Sequence, residues 1–229
     1  MTQRLELIFV HMPKAGGSSL LAAVEEHFSP DRVLRDYDDR PNDPTSPMNL
    51  DPHGFLERSR RQNATVLNGK AAVFGHFWIK KYDGVVADRQ AIILREPISR
   101  AISHYLYWKS VAFDHPLQKY VIANDLSFLQ FARLPRVNSL YTQIYFRDVD
   151  MGRFDFIGDH DRLLRDWSGT VTALGLKPPP QQRELNATAE RDADYRAKRS
   201  HILSDSSLMA QLRDIFADDL RLYERYALA

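Results

Sequence analysis

Cysteine is absent from this chain of 229 residues, which removes disulfide scaffolds, cysteine-ligated zinc, iron–sulfur clusters and thiol nucleophiles together. Long apolar runs are missing too: none approaches the roughly 20 residues needed to cross a bilayer, and no basic segment with an apolar stretch precedes the first strand pattern. No membrane association is expected, and the default compartment is the cytoplasm. Net charge is nearly lacking, since 31 Lys and Arg against 30 Asp and Glu leave +1. No global field therefore draws nucleic acid or an anionic membrane, and any anion site must be local. Nor does a Gly/Ser linker, long charge run or internal repeat separate two apolar halves, so a single domain over 1–229 is expected. What is present is ordinary for a globular chain, 44% hydrophobic and 27% charged, enough to bury a sizeable core.

Leu5 to Val10 is a short β-rich run that stops at His11-Met12-Pro13-Lys14-Ala15-Gly16-Gly17-Ser18-Ser19, and from Ser18 the spacing of Leu20, Leu21, Val24 and Phe28 turns helical. Ser18 or Ser19 is available to cap that helix. Between Ser29 and Pro52 lie five of the twelve prolines and six aspartates, which predicts a long surface excursion without regular structure, a candidate lid. Ala64–Val66 and Ala71–Phe74 are short strand candidates, and Ala91–Leu94 is a clearer one. After Arg95-Glu96-Pro97 the pattern becomes helical again through Ile98, Ala101, Ile102 and Tyr105. Helices are predicted over 126–131, 138–146, 162–174 and 205–226, with a strand over 154–158 and a break at 177–180. Strands alternating with helices predict an α/β domain with a central, mainly parallel sheet flanked by helices.

The loop from His11 to Ser19 places a lysine, two glycines and two hydroxyls before a helix N-terminus, where free N–H groups and the helix dipole favour a phosphate-like anion. It is not a Walker A sequence, because Lys14 precedes the Gly16-Gly17 pair, and nucleotide hydrolysis is correspondingly disfavoured. A plain strand-to-helix turn with an exposed lysine is the competing explanation. It would have to account for Lys14 and both serines at one turn.

Phe9 to Leu20, reading FVHMPKAGGSSL, resembles the 5′-phosphosulfate loop of the sulfotransferases that use 3′-phosphoadenosine-5′-phosphosulfate (PAPS), nearest the carbohydrate O-sulfotransferases of the heparan 2-O type. Ile93 to Tyr105 resembles that family's 3′-phosphate element, in which an Arg ends the strand and a Ser sits eight residues later. Arg95 and Ser103 occupy those places. Arg95 also offers a planar fork of donors, and Ser103 adds a hydroxyl two helical turns on. Val73-Phe74-Gly75-His76-Phe77 resembles the branch's general-base element, and 154–158, Asn186-Ala187-Thr188 and Leu222-Tyr223-Glu224 resemble its later strand, nucleotide loop and final helix. Ala15 stands where the family has Thr, and the membrane anchor and cysteines of the Golgi enzymes are lacking, so the resemblance is to a soluble, bacterial-like form with a P-loop-like fold.

The resemblance implies a sulfotransferase of EC 2.8.2 type that moves a sulfuryl group from PAPS to a hydroxyl acceptor, a carbohydrate or small metabolite, and releases adenosine 3′,5′-bisphosphate (PAP). It implies Lys14 and His76 as catalytic residues. Lys14, Ala15, Gly16, Gly17, Ser18, Ser19, Arg95 and Ser103 would hold the donor, without a metal. His11 and Glu96 stay open as alternative bases, though a structural role suits each, as it does His104. Trp78, Tyr82, Tyr105, Tyr107 and Trp108 are core or an aromatic acceptor surface, and Lys80-Lys81 exposed charge or an attractor of acidic acceptors. Arg35 to Arg40 is a solvated face, and the sequons at Asn63 and Asn186 are chance matches. The rivals are a nucleotide-dependent kinase on a related scaffold and a non-catalytic nucleotide- or glycan-binding module.

Overall fold

The computed structural model describes residues 4–112, 114–178 and 193–228. Seven strands, β1 (Arg4–Leu5), β2 (Leu7–Val10), β3 (Val33–Asp36), β4 (Ala72–Gly75), β5 (Val86–Ala87), β6 (Gln90–Leu94) and β7 (Phe156–Asp159), alternate with helices. The helices are α1 (Gly17–Phe28), α2 (Pro47–Leu50), α3 (Pro52–Val66), α4 (Pro97–Ser110), α5 (Pro116–Ala123), α6 (Phe128–Ala132), α7 (Pro135–Asn138), α8 (His160–Arg165), α9 (Trp167–Ala173), α10 (Ala193–Ser204), α11 (Ser206–Ile215) and α12 (Ala217–Ala227). β1 and β5 form a small parallel pair; the main sheet has five strands in the order β3-β4-β2-β6-β7, and every neighbouring pair in it is parallel. The α/β domain with a central parallel sheet and flanking helices is thus the observed architecture.

A parallel sheet must be covered on both faces, and the side-chain alternation divides accordingly. Leu7, Phe9, Ala72, Phe74, Ala91 and Ile93 pack with Leu20 and Val24 of α1 and with Leu163 and Trp167 of α8 and α9. Ile8, Val10, Val73, Ile92 and Leu94 face the other way, towards Tyr141, Tyr145 and Tyr223. Phe9 and Phe74 are register partners on neighbouring strands, and their rings stack with centroids 4.8 Å apart. A third cluster, through Ile98, Ile102, Phe131, Leu212 and Phe216, joins α4 to the later helices.

The excursion over 29–52 is not the irregular loop expected. Val33–Asp36 is the outer strand of the main sheet, in register with Ala72–Gly75, and Met48 of α2 is fully buried. The stretch is pinned to the body by Arg136 Nη1, which donates to the Pro41 carbonyl at 3.2 Å, and by His115, which bonds Asn42; within it, Asn49 Nδ2 donates to the same Pro41 carbonyl at 2.9 Å. Ala64–Val66 is the end of α3 and not a strand. Asp51 caps that helix by accepting from Gly54 N at 3.0 Å, and Phe55, Ser59 and Asn63 form its buried i, i+4 face. The helix expected over 162–174 is two, parted by Asp166, which caps α9. That expected over 205–226 is broken at Phe216, which lets Asp219 and Tyr223 turn inward. The stretch 138–146 is a π turn over Leu140–Tyr145, with Phe146 N bonded five residues back to the Tyr141 carbonyl at 2.8 Å.

Candidate active site

The carboxyl ends of parallel strands are where such sheets place ligands, at the point where the strand order reverses. Here that point is β2, with β4 on one side and β6 on the other. The His11–Ser19 loop leaves β2 and enters α1 through Gly16, whose φ of 79° and that of Lys14, 66°, are both left-handed. The cap position is Gly16, with no side-chain cap bond. Ser18 and Ser19 lie inside the first turn and do not cap it, a correction to the sequence expectation. Gly16 fits against Leu163 and His160, the former 3.0 Å from where a Cβ would stand, so the β7–α8 junction walls the loop.

The structure brings the two motif segments together. Arg95, buried at the end of β6, donates from Nη1 to the Lys14 carbonyl at 2.9 Å. Lys14 Nζ lies 3.9 Å from the centroid of the Tyr107 ring on α4, a cation–π contact that leans the lysine towards the helix carrying Ser103. Ser103 is buried on that helix. Glu96 caps α4 with both carboxylate oxygens, accepting from Ile98 N at 3.1 Å and Ser99 N at 2.6 Å, a structural task that occupies the side chain. His104 is buried against Trp108, and its imidazole pKa is held well below the usual value by burial and then by Arg100.

On the β4 side, His76 Nδ1 lies 2.5 Å from the His11 carbonyl. A carbonyl can only accept, so Nδ1 carries the proton and Nε2 presents a lone pair. Burial lowers the His76 pKa to about 4, which keeps the ring neutral at pH 7. The His11 and His76 rings stack at 4.3 Å. Tyr37, at the end of β3, meets the His76 ring edge-on at 4.9 Å, and its hydroxyl shares a 3.1 Å hydrogen bond with His11 Nδ1. Gly17 and Gly75 are required by close approach. A Cβ on Gly17 would stand 1.6 Å from His11 Nε2, and one on Gly75 would stand 1.7 Å from the Asp36 carbonyl oxygen.

Tyr37 is the site residue that sequence reasoning missed, because Arg35 to Arg40 reads there as a solvated face. The signal was its place after Val33-Leu34, at a strand's carboxyl end. Two of the charges in that stretch are buried: Lys81 Nζ is 2.8 Å from Asp36 and 2.7 Å from Asp39, and Tyr82 donates to Asp36 at 2.6 Å. Lys81 is thus neither an exposed cation nor an attractor of acceptors. Trp78, Tyr82 and Trp108 are core. Asn63 is buried and donates to the Lys81 carbonyl at 2.8 Å; the 186–188 sequon and nucleotide-loop resemblance lie outside the described residues. Among the described residues no group of three or more His, Asp or Glu could hold a metal, and no helix is long and apolar enough to cross a membrane.

The Sulfotransferase family matches residues 1–227, and the chain belongs to it. Two solved structures are similar to it. One is a sulfotransferase from Alicyclobacillus acidocaldarius, at 16% identity, covering 94% of this chain and 96% of that one with a TM-score of 0.40. The other is mouse sulfotransferase SULT7A1 complexed with PAP, at 13% identity, covering 90% of this chain and 65% of that one with a TM-score of 0.38. No curated protein matches.

Proposed function

We propose that the chain is a PAPS-dependent sulfotransferase acting on a hydroxyl group of a carbohydrate or small metabolite. The observation that carries the reading is the 2.9 Å bond from Arg95 to the Lys14 carbonyl, which makes one site of two segments that each suit an anion. The residues fit the donor: a 12-residue helix opens at a glycine with no side-chain cap, which turns the positive end of its dipole towards the 5′-phosphosulfate, beside Lys14, Ser18 and Ser19. Arg95 and Ser103 stand at the second junction to take the 3′-phosphate.

His76 Nε2 accepts the acceptor's hydroxyl proton as the oxygen attacks sulfur. The new O–S bond forms as the S–O bond to the donor phosphate breaks in line, and Lys14 swings from Tyr107 to neutralise the leaving phosphate oxygen. The products are a sulfate ester and PAP. Titration with PAP, AMP and ATP, followed by turnover of labelled PAPS over a panel of hydroxylated acceptors, tests the reading. PAP is expected to bind more tightly than AMP, and Arg95→Ala to weaken PAP about tenfold or more while affecting AMP much less. Preferential binding and cleavage of ATP would instead make it a kinase, and PAP binding without turnover of PAPS a binding module.

A further inference from the structure

Arg95 stands between the last residue of β6 and the Glu96 cap of α4, at a point where neither strand nor helix dictates its backbone. One side chain meets both of its main-chain polar groups. The Tyr141 hydroxyl accepts from Arg95 N at 3.2 Å and donates to Arg95 O at 2.6 Å. Two bonds to one oxygen set the peptide planes on either side of the Arg95 Cα, and with them the direction in which its side chain leaves the backbone.

Tyr141 is itself held with unusual completeness. It lies wholly buried in the π turn, and its backbone N–H donates to the Asp219 carboxylate at 2.9 Å. Asp219, on α12 and fully buried, also accepts from Thr142 N at 2.9 Å and Thr142 Oγ1 at 2.8 Å. Beneath the ring lies the guanidinium of Arg100, 5.5 Å from the centroid and anchored by a 2.8 Å bond to the Val137 carbonyl. A π turn lacks the regular i to i+4 ladder and is found frequently at functional sites. In this turn the aimed group is the Tyr141 hydroxyl.

We propose that Tyr141 is a positioning residue that acts through Arg95, setting the guanidinium on the donor's 3′-phosphate and so fixing the preference for a 3′,5′-bisphosphate over a 5′-monophosphate. The inference rests on the reading of Arg95 given above. Because Tyr141 acts on the backbone of one arginine, its loss is felt through that guanidinium, and so more by the 3′-phosphate than by the 5′ group beside the Lys14 loop.

The test is a double-mutant cycle read by calorimetric affinity for PAP and AMP, with Tyr141→Phe, Arg95→Ala and the double variant alongside the parent. Tyr141→Phe is expected to cut the PAP-over-AMP preference by roughly three- to tenfold, with a smaller loss of AMP affinity than of PAP affinity. In the Arg95→Ala background it should have no further effect on that preference. A preference unchanged by Tyr141→Phe, an equal loss of both ligands, or an effect of the same size without Arg95 would each overturn the inference. If Tyr141→Phe does not fold, Asp219→Asn leaves the tyrosine in place while loosening the turn, and its failure to reduce the preference would overturn it equally. A parent protein with no preference for PAP would overturn the donor reading itself, and the inference with it.

Discussion

Gly17→Ala probes the join between the anion loop and the histidine pair. The added methyl would stand 1.6, 2.0 and 2.1 Å from Nε2, Cδ2 and Cε1 of His11, an overlap no small shift relieves. The obstacle is a side chain and not backbone, so the ring can leave, and the cost is what the ring gives up. That is the hydrogen bond to Tyr37, a net of about 0.5–1.5 kcal/mol, and the stack on His76, about 0.5–1.5 kcal/mol more. Alanine returns about 0.5–1 kcal/mol of helix propensity, and no left-handed φ is needed at this position. The balance runs from near neutral to a destabilisation of about 2.5 kcal/mol, a melting temperature lower by up to roughly 10 °C for a domain of this size. Turnover should fall further than PAP affinity, because the displaced ring supports His76 while the loop N–H groups keep their direction. Calorimetry and turnover on Gly17→Ala, His11→Ala and the double variant decide it. With His11 reduced to a methyl the clash has no object, so Gly17→Ala should be neutral or stabilising in that background. A penalty undiminished there, or a Gly17→Ala effect no less favourable with His11 present than without it, would refute the reasoning.

Gly75→Ala should be worse, since its methyl would meet the Asp36 main-chain oxygen at 1.7 Å and only separation of β3 from β4 relieves it; a soluble protein with the parent's melting temperature would count against this strand register. His76 has its pKa lowered to about 4 by burial, so kcat/KM for the donor, which reports the free enzyme, should stay flat through pH 6.5 and fall only near pH 4; ring NMR showing protonation near 6.5 would contradict that. The same depression implies stability lost as pH drops from about 6.5 towards 4, because the unfolded chain binds the proton there and the folded one does not. Asp39 has the opposite sign: burial, then Asp36, raises it to about 6, so its contribution is greatest in acid and declines as pH climbs through about 4 to 6. Asp39→Asn should remove that decline; denaturant midpoints of parent and variant that run parallel across the window would exclude it.

The parts of the fold legible from sequence are those that short stretches specify. Each strand-to-helix junction, at 9–20 and 93–105, carries its own apolar run, its own breaker and its own helical spacing, and each is seen where expected. β3 was illegible because only Val33 and Leu34 speak for a strand amid proline and aspartate. Its pairing partner lies across α3, and backbone pairing with Ala72–Gly75 supplies what local propensity does not. The burial of Asp36 and Asp39 was hidden for a similar reason: a run of charge reads as solvated until Lys81, 42 residues beyond Asp39, is known to lie between them. Tyr37 was lost with them. The clamp of Tyr141 on Arg95 spans 46 residues, and nothing in either local pattern announces it.

Contacts of the same long range meet on the loop after β2, from His76 on one side and Arg95 on the other. Lys14 keeps a left-handed φ of 66° that a residue with a Cβ adopts at a cost of about 1–2 kcal/mol. Two carbonyls of this loop are taken by side chains from the flanking strands: that of His11 by His76 from β4, and that of Lys14 by Arg95 from β6. The residue proposed to take the acceptor's proton and the residue proposed to read the donor's far phosphate therefore grip the same short segment, three residues apart. A shift of that segment on one side is therefore predicted to reach the other, which the His76 ring resonances on titration with PAP would show. Donor binding, by drawing on Arg95 and Lys14, thus has a direct mechanical route to the orientation of His76. That route runs through backbone and not through solvent, so raising ionic strength should weaken donor affinity without uncoupling the two sides.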